Sequence, residues 1–290
     1  KHPYTHWNTL PNGKPGEYLT DRLTVEAEQF IEQNKERPFF LYLSYYSVHT
    51  PLQAPKERVA KYEKKPKGER HKNSTYAAMV ESVDCSVGRV MARLEKLGLA
   101  KNTVVIFTSD NGGHGRITSH QPLRGNKGNF YEGGIRVPLI VKWPGVIKPA
   151  STCKVPVIST DYYPTLLAMT GLPSRPQQHL DGLNLLPLLK QTGSVERKAL
   201  YWHYPNYIGA GHPGGARPCG VIRAGDWKLI ESFENNRLEL FNLSEDLGEQ
   251  NDLAAKMPAK TKVMQQQLSA WRAEAKVQMP KRNPNYRAGE

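Results

Sequence analysis

Cysteine is scarce in this 290-residue chain, which has only Cys85, Cys153 and Cys219. So few, so widely spaced, permit one disulfide or none and exclude a disulfide framework or a cysteine-based zinc site. No stretch approaches the roughly 18 uninterrupted apolar residues of a membrane-spanning helix, so no membrane segment is expected. An initiator Met and a signal-peptide pattern are both missing at Lys1-His2-Pro3-Tyr4. This N-terminus is therefore read as a cut, and localisation is not legible from it. Acidic residues also run short, 27 against 40 Lys and Arg, for a formal net charge of +13. Such an excess favours an anionic partner. No zinc-finger, RNP or helix-turn-helix pattern accompanies it, so nucleic acid is not the expected one. Much of it sits in "KERVAKYEKKPKGERHK", Lys56 to Lys72, where Glu and Pro interrupt the bases as in a solvated surface stretch.

What the chain does have is core-forming material. A hydrophobic fraction of 38% with five Trp and fourteen Tyr predicts a globular protein, and 24 Gly and 22 Pro predict many ordered loops. Residues 20–35 place Leu23, Ala27, Phe30 and Ile31 on one helical face, with Thr20 as expected N-cap. "FFLYLSYYS" from Phe39 reads as a buried strand. A long helix follows, its apolar positions running from Tyr76 through Met79, Val80, Val83, Val87, Val90, Met91 and Leu94 to Leu97, with Gly98 placed to end it. Then come a strand at 103–108, a Gly-rich loop to Gly134, a strand at 137–143 and a helix from Thr160 through Met169. That order predicts an α/β fold with a mixed, mostly parallel sheet between helices over residues 1–190. Residues 191–290 read as a small α+β unit. Its strands "ALYWHYP", "CGVIRAGDWKLIE" and "RLELFNL" predict an antiparallel sheet, covered by a terminal helix near 254–277.

Chemistry-bearing residues gather in the loops after strands, where function tends to concentrate. Asp110 and Asn111 in "TSDNGGHG" follow one strand, His49 follows another, and Lys127 lies in "PLRGNKGNFYEGGIRVP". Asp, Asn and Gly are also what a plain turn uses. The alternative is half of a hard-cation site, since two oxygens cannot satisfy a Ca²⁺ ion that takes 6–8. A metal, an ammonium and an imidazole converging on one anion suit transfer of a sulfuryl or phosphoryl group.

The string "TSDNGGHG…PLRGNKGNFYEGGIRVPLIVKWPG", with "YYSVHTPLQAP" before it and "STDYYPTLLAMTGLP…LDGLNLLPLL" after it, resembles the sulfatase family of the alkaline-phosphatase-like superfamily. "LYWHYPNY" and "GVIRAGDWKLIE" look like the C-terminal subdomain of its arylsulfatase-type members. The resemblance implies that Asp110 and Asn111 are two of four protein ligands to Ca²⁺, and that His49 and Lys127 contact the sulfate group and the bridging oxygen. It also implies an anionic sulfate-ester substrate, such as a sulfated glycan, and a secreted or periplasmic setting.

The family's adjacent Asp pair, its Cys/Ser-x-Pro-x-Arg motif, whose first residue becomes formylglycine, and its Gly-Lys-Trp-His-type segment have no match here. "GLPSR", Gly171 to Arg175, imitates the nucleophile motif with Gly where the Cys belongs. The chain is therefore expected to be the C-terminal portion of a sulfatase, with no nucleophile of its own and no turnover alone. Secondary expectations are a substrate-facing wall from His203, Tyr204 and His212, and leaving-group contacts from His114 and His120. The alternatives are a phosphodiesterase or phosphonate hydrolase on the same scaffold, and a noncatalytic anionic-glycan-binding relative.

Overall fold

A computed structural model describes residues 13–207 and 217–281. The chain falls into two units, Lys1–Val105 and Ile106–Glu290.

The first unit is built on helices α1 (Leu19–Gln33), α2 (Lys56–Glu63) and α3 (Ser74–Lys96). The face of α1 that packs is Thr20, Thr24, Ala27 and Ile31. Thr20 is not its N-cap: Tyr18 occupies that position, and Thr20 is buried with its hydroxyl 2.7 Å from that of Ser47. A buried hydroxyl needs a partner, and Ser47 supplies one. The buried residues of α3 are Ala78, Met79, Ser82, Ser86 and Leu94, while Val80 is exposed. Ser86 bonds Thr24 of α1 and the Tyr45 hydroxyl, while Ser82 accepts from Arg58 of α2 at 2.6 Å. Asn73 caps α3 by accepting from the Tyr76 N–H at 2.8 Å. At the other end Gly98 has φ 72°, with Gly98 N–H on Glu95 O and Leu99 N–H on Leu94 O. This is a Schellman ending, and it confirms the expected role of Gly98. Ile31, Leu94 and Ala100 centre the apolar cluster, with Phe39, Leu41 and Val90 against them.

The stretch expected as a buried strand at 39–47 is neither. It forms no strand ladder, and Phe40, Tyr42 and Tyr46 are exposed while Leu41, Leu43 and Tyr45 are half-buried. The alternation is that of one covered face, with no strand paired to it among the described residues.

In the second unit β1 (Val105–Thr108) pairs with β2 (Leu139–Lys142), with the short helix α4 (Glu132–Ile135) just before β2. Helix α5 (Tyr162–Met169) and helix α6 (Leu186–Leu189) follow. Ile106, Leu139, Val141, Leu166, Met169 and Leu185 line a small apolar cavity there. Asp161, fully buried just ahead of α5, accepts the N–H groups of Ile158 and Leu183, each at 2.9 Å, and pairs through both oxygens with Arg197.

Strands β3 (Leu200–Tyr204), β4 (Cys219–Ala224), β5 (Trp227–Ser232) and β6 (Leu238–Asn242) form an antiparallel sheet in that order. Ala224 pairs with Trp227 across a two-residue loop, and Gly225 takes φ 59° at its first position. Alternate side chains face opposite sides. Ile222, Leu229 and Leu240 pack with Met264 and Leu268 of helix α7 (Pro258–Glu274). Val221, Ile230 and Phe241 form the other face with Trp202 and Tyr204 of β3, and Phe130 and Tyr131 pack on it. The expected mixed α/β class, with a small antiparallel sheet and a C-terminal helix, is thus present.

Replacing Asp161 by Ala strands two N–H groups and leaves Arg197, 11% exposed, without its counter-charge. Loss of a buried partner of this kind costs about 3–5 kcal/mol, to be read as a lowered urea midpoint at unchanged slope.

Candidate active site

Strand β1 ends at Thr108, and the backbone then runs directly into a close crossing. The Gly112 N–H donates to Gly134 O at 2.9 Å, the Lys127 N–H to Gly113 O at 3.0 Å and the Gly133 N–H to Arg124 O at 2.7 Å. A Cβ at Gly112 would lie 1.9 Å from Gly133 O, and one at Gly134 would lie 2.0 Å from Asn129 O. Only glycine permits backbones this close. The crossing brings the loop bearing Lys127 onto the one bearing Asp110 and Asn111.

Asp110 is exposed, and its Oδ1 accepts from Asn111 Nδ2 at 3.1 Å. No cationic side chain pairs with it among the described residues. Lys127 is exposed, with no side-chain partner among the described residues. His120 accepts the Gly113 N–H on Nε2 at 2.8 Å, so that nitrogen carries no proton and the ring supports the Asn111–Gly113 turn. His114 is exposed and accepts the Arg116 N–H on Nδ1 at 3.3 Å. An open cleft of about 270 Å³ adjoins these residues, lined by Thr118, Ser119, His120, Arg124, Asn126 and Gln250.

His203 and Tyr204 lie on β3. His203 Nε2 donates to Gln278 O at 2.9 Å, while the Tyr204 ring lies 5.5 Å from that of Phe130, in the same loop as Lys127. Burial, with a smaller effect of Cys219, raises the Tyr204 phenol. His212 lies outside the described residues. His49, in the first unit, is exposed. Its Nδ1 donates to Thr50 O at 2.8 Å, because a carbonyl can only accept, and this leaves Nε2 as the nitrogen that gains or gives a proton.

Of the cysteines, all are free, and burial pushes the Cys219 thiol up to about 12. A thiol held so far above neutrality is not a nucleophile. Among the described residues no group of three or more His, Cys, Asp or Glu is placed to hold a metal ion. The chemistry of Asp110 and Asn111 nevertheless fits a hard cation: both offer oxygen, and the carboxylate has no cationic side chain on it among the described residues.

Sequence reasoning missed the ion cluster beneath the loop. Lys228 of β5, fully buried, lies 3.0 Å from Glu132 Oε1 and 2.8 Å from Glu249 Oε1, both carboxylates being buried too. Arg223 adds a second cation 3.5 Å from Glu132 Oε2. Burial raises the Glu249 carboxyl, opposed by Lys228. One signal was available, since Lys228 is in phase with Ile230 on a strand whose alternate residues point inward.

The sulfatase family matches residues 1–172, and the C-terminal region of N-sulphoglucosamine sulphohydrolase matches residues 126–276. This chain belongs to the sulfatase family. It is 38% identical over 288 residues to a sulfatase of Formosa agariphila, covering 90% of this chain and 51% of that one. With human steryl-sulfatase it shares 39% identity over 202 residues, 66% of this chain and 33% of the relative. The structure of Ps i-CgsB in complex with k-i-k-neocarrahexaose superposes with a TM-score of 0.78 at 33% identity, covering 91% of this chain and 56% of that one. The chain therefore spans about a third to a little over half of the length of these relatives.

Lys228→Met leaves two carboxylates buried together without their shared cation. The expected loss is about 3–5 kcal/mol in urea unfolding, whereas Lys61→Met, at a solvent-exposed pair with Glu81, should leave the urea midpoint nearly unchanged.

Proposed function

We propose that this chain forms part of a sulfuric ester hydrolase acting on a sulfated carbohydrate. The observation that carries the reading is the crossing of the Asp110–Gly113 and Arg124–Gly134 backbones, which sets the Lys127 backbone on Gly113 O. Family membership supports the reaction class. The k-i-k-neocarrahexaose held by Ps i-CgsB supports the carbohydrate class, as do the +13 charge and the polar cleft of this chain.

In this reading Asp110 and Asn111 contribute two oxygen ligands to Ca²⁺. The bound ion would supply positive charge for the nonbridging oxygens of the ester. Lys127 directs up to three N–H donors at the same oxygens, where charge builds as sulfur transfers. His49, with Nδ1–H held by Thr50 O, uses Nε2 to give a proton to the bridging oxygen as the alcohol leaves. The formylglycine nucleophile and the remaining metal ligands are not supplied by Asp110, Asn111, His49 or Lys127, and this chain alone is proposed to be inactive.

Three measurements test the assignments. In the full-length protein Lys127→Ala should lower kcat by orders of magnitude with the fold intact, since a donor aimed at developing charge contributes about 3 kcal/mol or more. Near-normal turnover of an aryl sulfate would remove Lys127 from the site. His49→Ala should cost less as the leaving group becomes more acidic, because such groups need less protonation; equal loss across a leaving-group series argues against that role. Calorimetric titration of this chain should show weak Ca²⁺ binding that Asp110→Ala abolishes, and tight stoichiometric binding would contradict a two-ligand contribution.

A further inference from the structure

The Lys127 loop is held at both ends by one residue. At its start, Arg124 Nη1 donates to the backbone carbonyl of Glu249 at 2.8 Å. At its end, the Glu132 N–H donates to Glu249 Oε2 at 2.6 Å. Glu249 is fully buried and sits at φ 52°, a left-handed conformation that a non-glycine residue seldom adopts. Its turn is fixed to β6: Asp246 N–H donates to Asn242 O at 2.8 Å, Glu249 N–H to Asp246 O at 3.1 Å, and Asn251 N–H to Asp246 Oδ2 at 2.7 Å. The Arg124 guanidinium also lies 3.9 Å over the Tyr131 ring, whose hydroxyl donates to Glu239 of β6 at 2.8 Å.

We infer that Glu249 is a positioning residue for Lys127, closing the two ends of the 124–132 loop against the C-terminal sheet so that the ammonium reaches the transferred group from a fixed origin. The inference rests on the reading of Lys127 given above. Lys127 is exposed and its side chain has no partner among the described residues, so only its backbone determines where the ammonium can reach. That backbone is tied to Gly113 O in the middle and, through the Glu132 N–H, to Glu249 at its end, while the Arg124 guanidinium reaches Glu249 O from its start. A buried acid that offers its carboxylate to the Glu132 N–H and its backbone carbonyl to Arg124 is more than packing requires, since an apolar residue could fill the same space without a buried charge.

The test uses the full-length protein, a chromogenic aryl sulfate and four variants: Glu249→Gly, which relieves the positive φ but removes the side-chain acceptor; Glu249→Gln, which keeps the backbone carbonyl for Arg124 and one side-chain oxygen for the Glu132 N–H while giving up the oxygen beside Lys228; Arg124→Leu; and Lys127→Ala. Glu249→Gly and Arg124→Leu should lower kcat by about 100-fold, the scale of a displacement near 1 Å, with KM changed by no more than about 3-fold. Glu249→Gln should retain most of the turnover. In the Lys127→Ala background Glu249→Gly should cost no more than about 2-fold, because its effect is exerted through the lost ammonium. Multiplicative losses in the double variant, or unchanged kcat in folded Glu249→Gly and Arg124→Leu, overturn the inference. Hydrogen exchange supplies a readout independent of catalysis: amides of 125–131 should exchange faster in both variants while β4 and β5 keep their protection, and unchanged exchange overturns the clamp. If Lys127→Ala itself turns over normally, the catalytic assignment falls and the exchange result alone decides whether Glu249 closes the loop. Arg124, whose side chain is 37% exposed, carries the test if Glu249→Gly does not fold.

Discussion

Two backbones that share almost no space between them determine the rest of the candidate site. The Gly112 N–H meets Gly134 O at 2.9 Å, and at neither glycine does a Cβ fit. This contact ties the end of β1, with Asp110 and Asn111, to the loop with Lys127. It is entropically expensive, because glycine loses more freedom on folding than any other residue. Other interactions must therefore hold the crossing, and they come from two directions. His120 accepts the Gly113 N–H on one side. On the other, Glu132, the residue just before Gly133, enters the buried cluster of Lys228 and Glu249.

A buried ion pair is weak evidence for stability, because desolvation consumes much of its Coulomb energy. Here its value lies in geometry. Lys228 stands on the sheet face that also presents Val221, Ile230 and Phe241, and that face is covered by Phe130 and Tyr131 from the Lys127 loop. Apolar packing alone would permit the loop to slide, since contacts of this kind are not directional. One ammonium shared by two carboxylates, with the second carboxylate also accepting the Glu132 N–H, permits far fewer arrangements.

The elements most legible in the sequence were those with a strong local pattern: the long helix ending at Gly98, the strand ahead of Asp110, the hairpin at Gly225 and the terminal helix. Where reading failed, longer-range partners decided. Thr20 has the composition of an N-cap, but Ser47 bonds its hydroxyl inside the helix. Ala78, Ser82 and Ser86 form the buried seam of α3, yet small and polar residues carry no hydrophobic signal. The 39–47 run has strand composition, and strand assignment requires a ladder that composition cannot supply. In the candidate site, Asp110, Asn111 and Lys127 were legible because chemistry-bearing residues stood among glycines. Arg124, Lys228 and Glu249 were not, because a charged residue on a strand or turn reads as solvated until its burial is known.

The same logic explains why the C-terminal sheet has four strands and a helix rather than a sheet with one wet face. An antiparallel sheet commonly leaves one side to solvent. Here α7 covers the face of Ile222, Leu229 and Leu240, and Phe130 and Tyr131 of the Lys127 loop cover the other, to which Trp202 and Tyr204 of β3 also belong. A strand sequence buried on both faces must place a side chain on each side in succession, as Val221-Ile222, Leu229-Ile230 and Leu240-Phe241 do. Lys228 interrupts that pattern on the loop-facing side only, opposite Glu132. A charge put there through burial pressure alone would have been replaced at little cost by an aliphatic residue. Its pairing with the residue that precedes Gly133 ties the sheet to the glycine crossing, and through that crossing to the turn of Asp110 and Asn111.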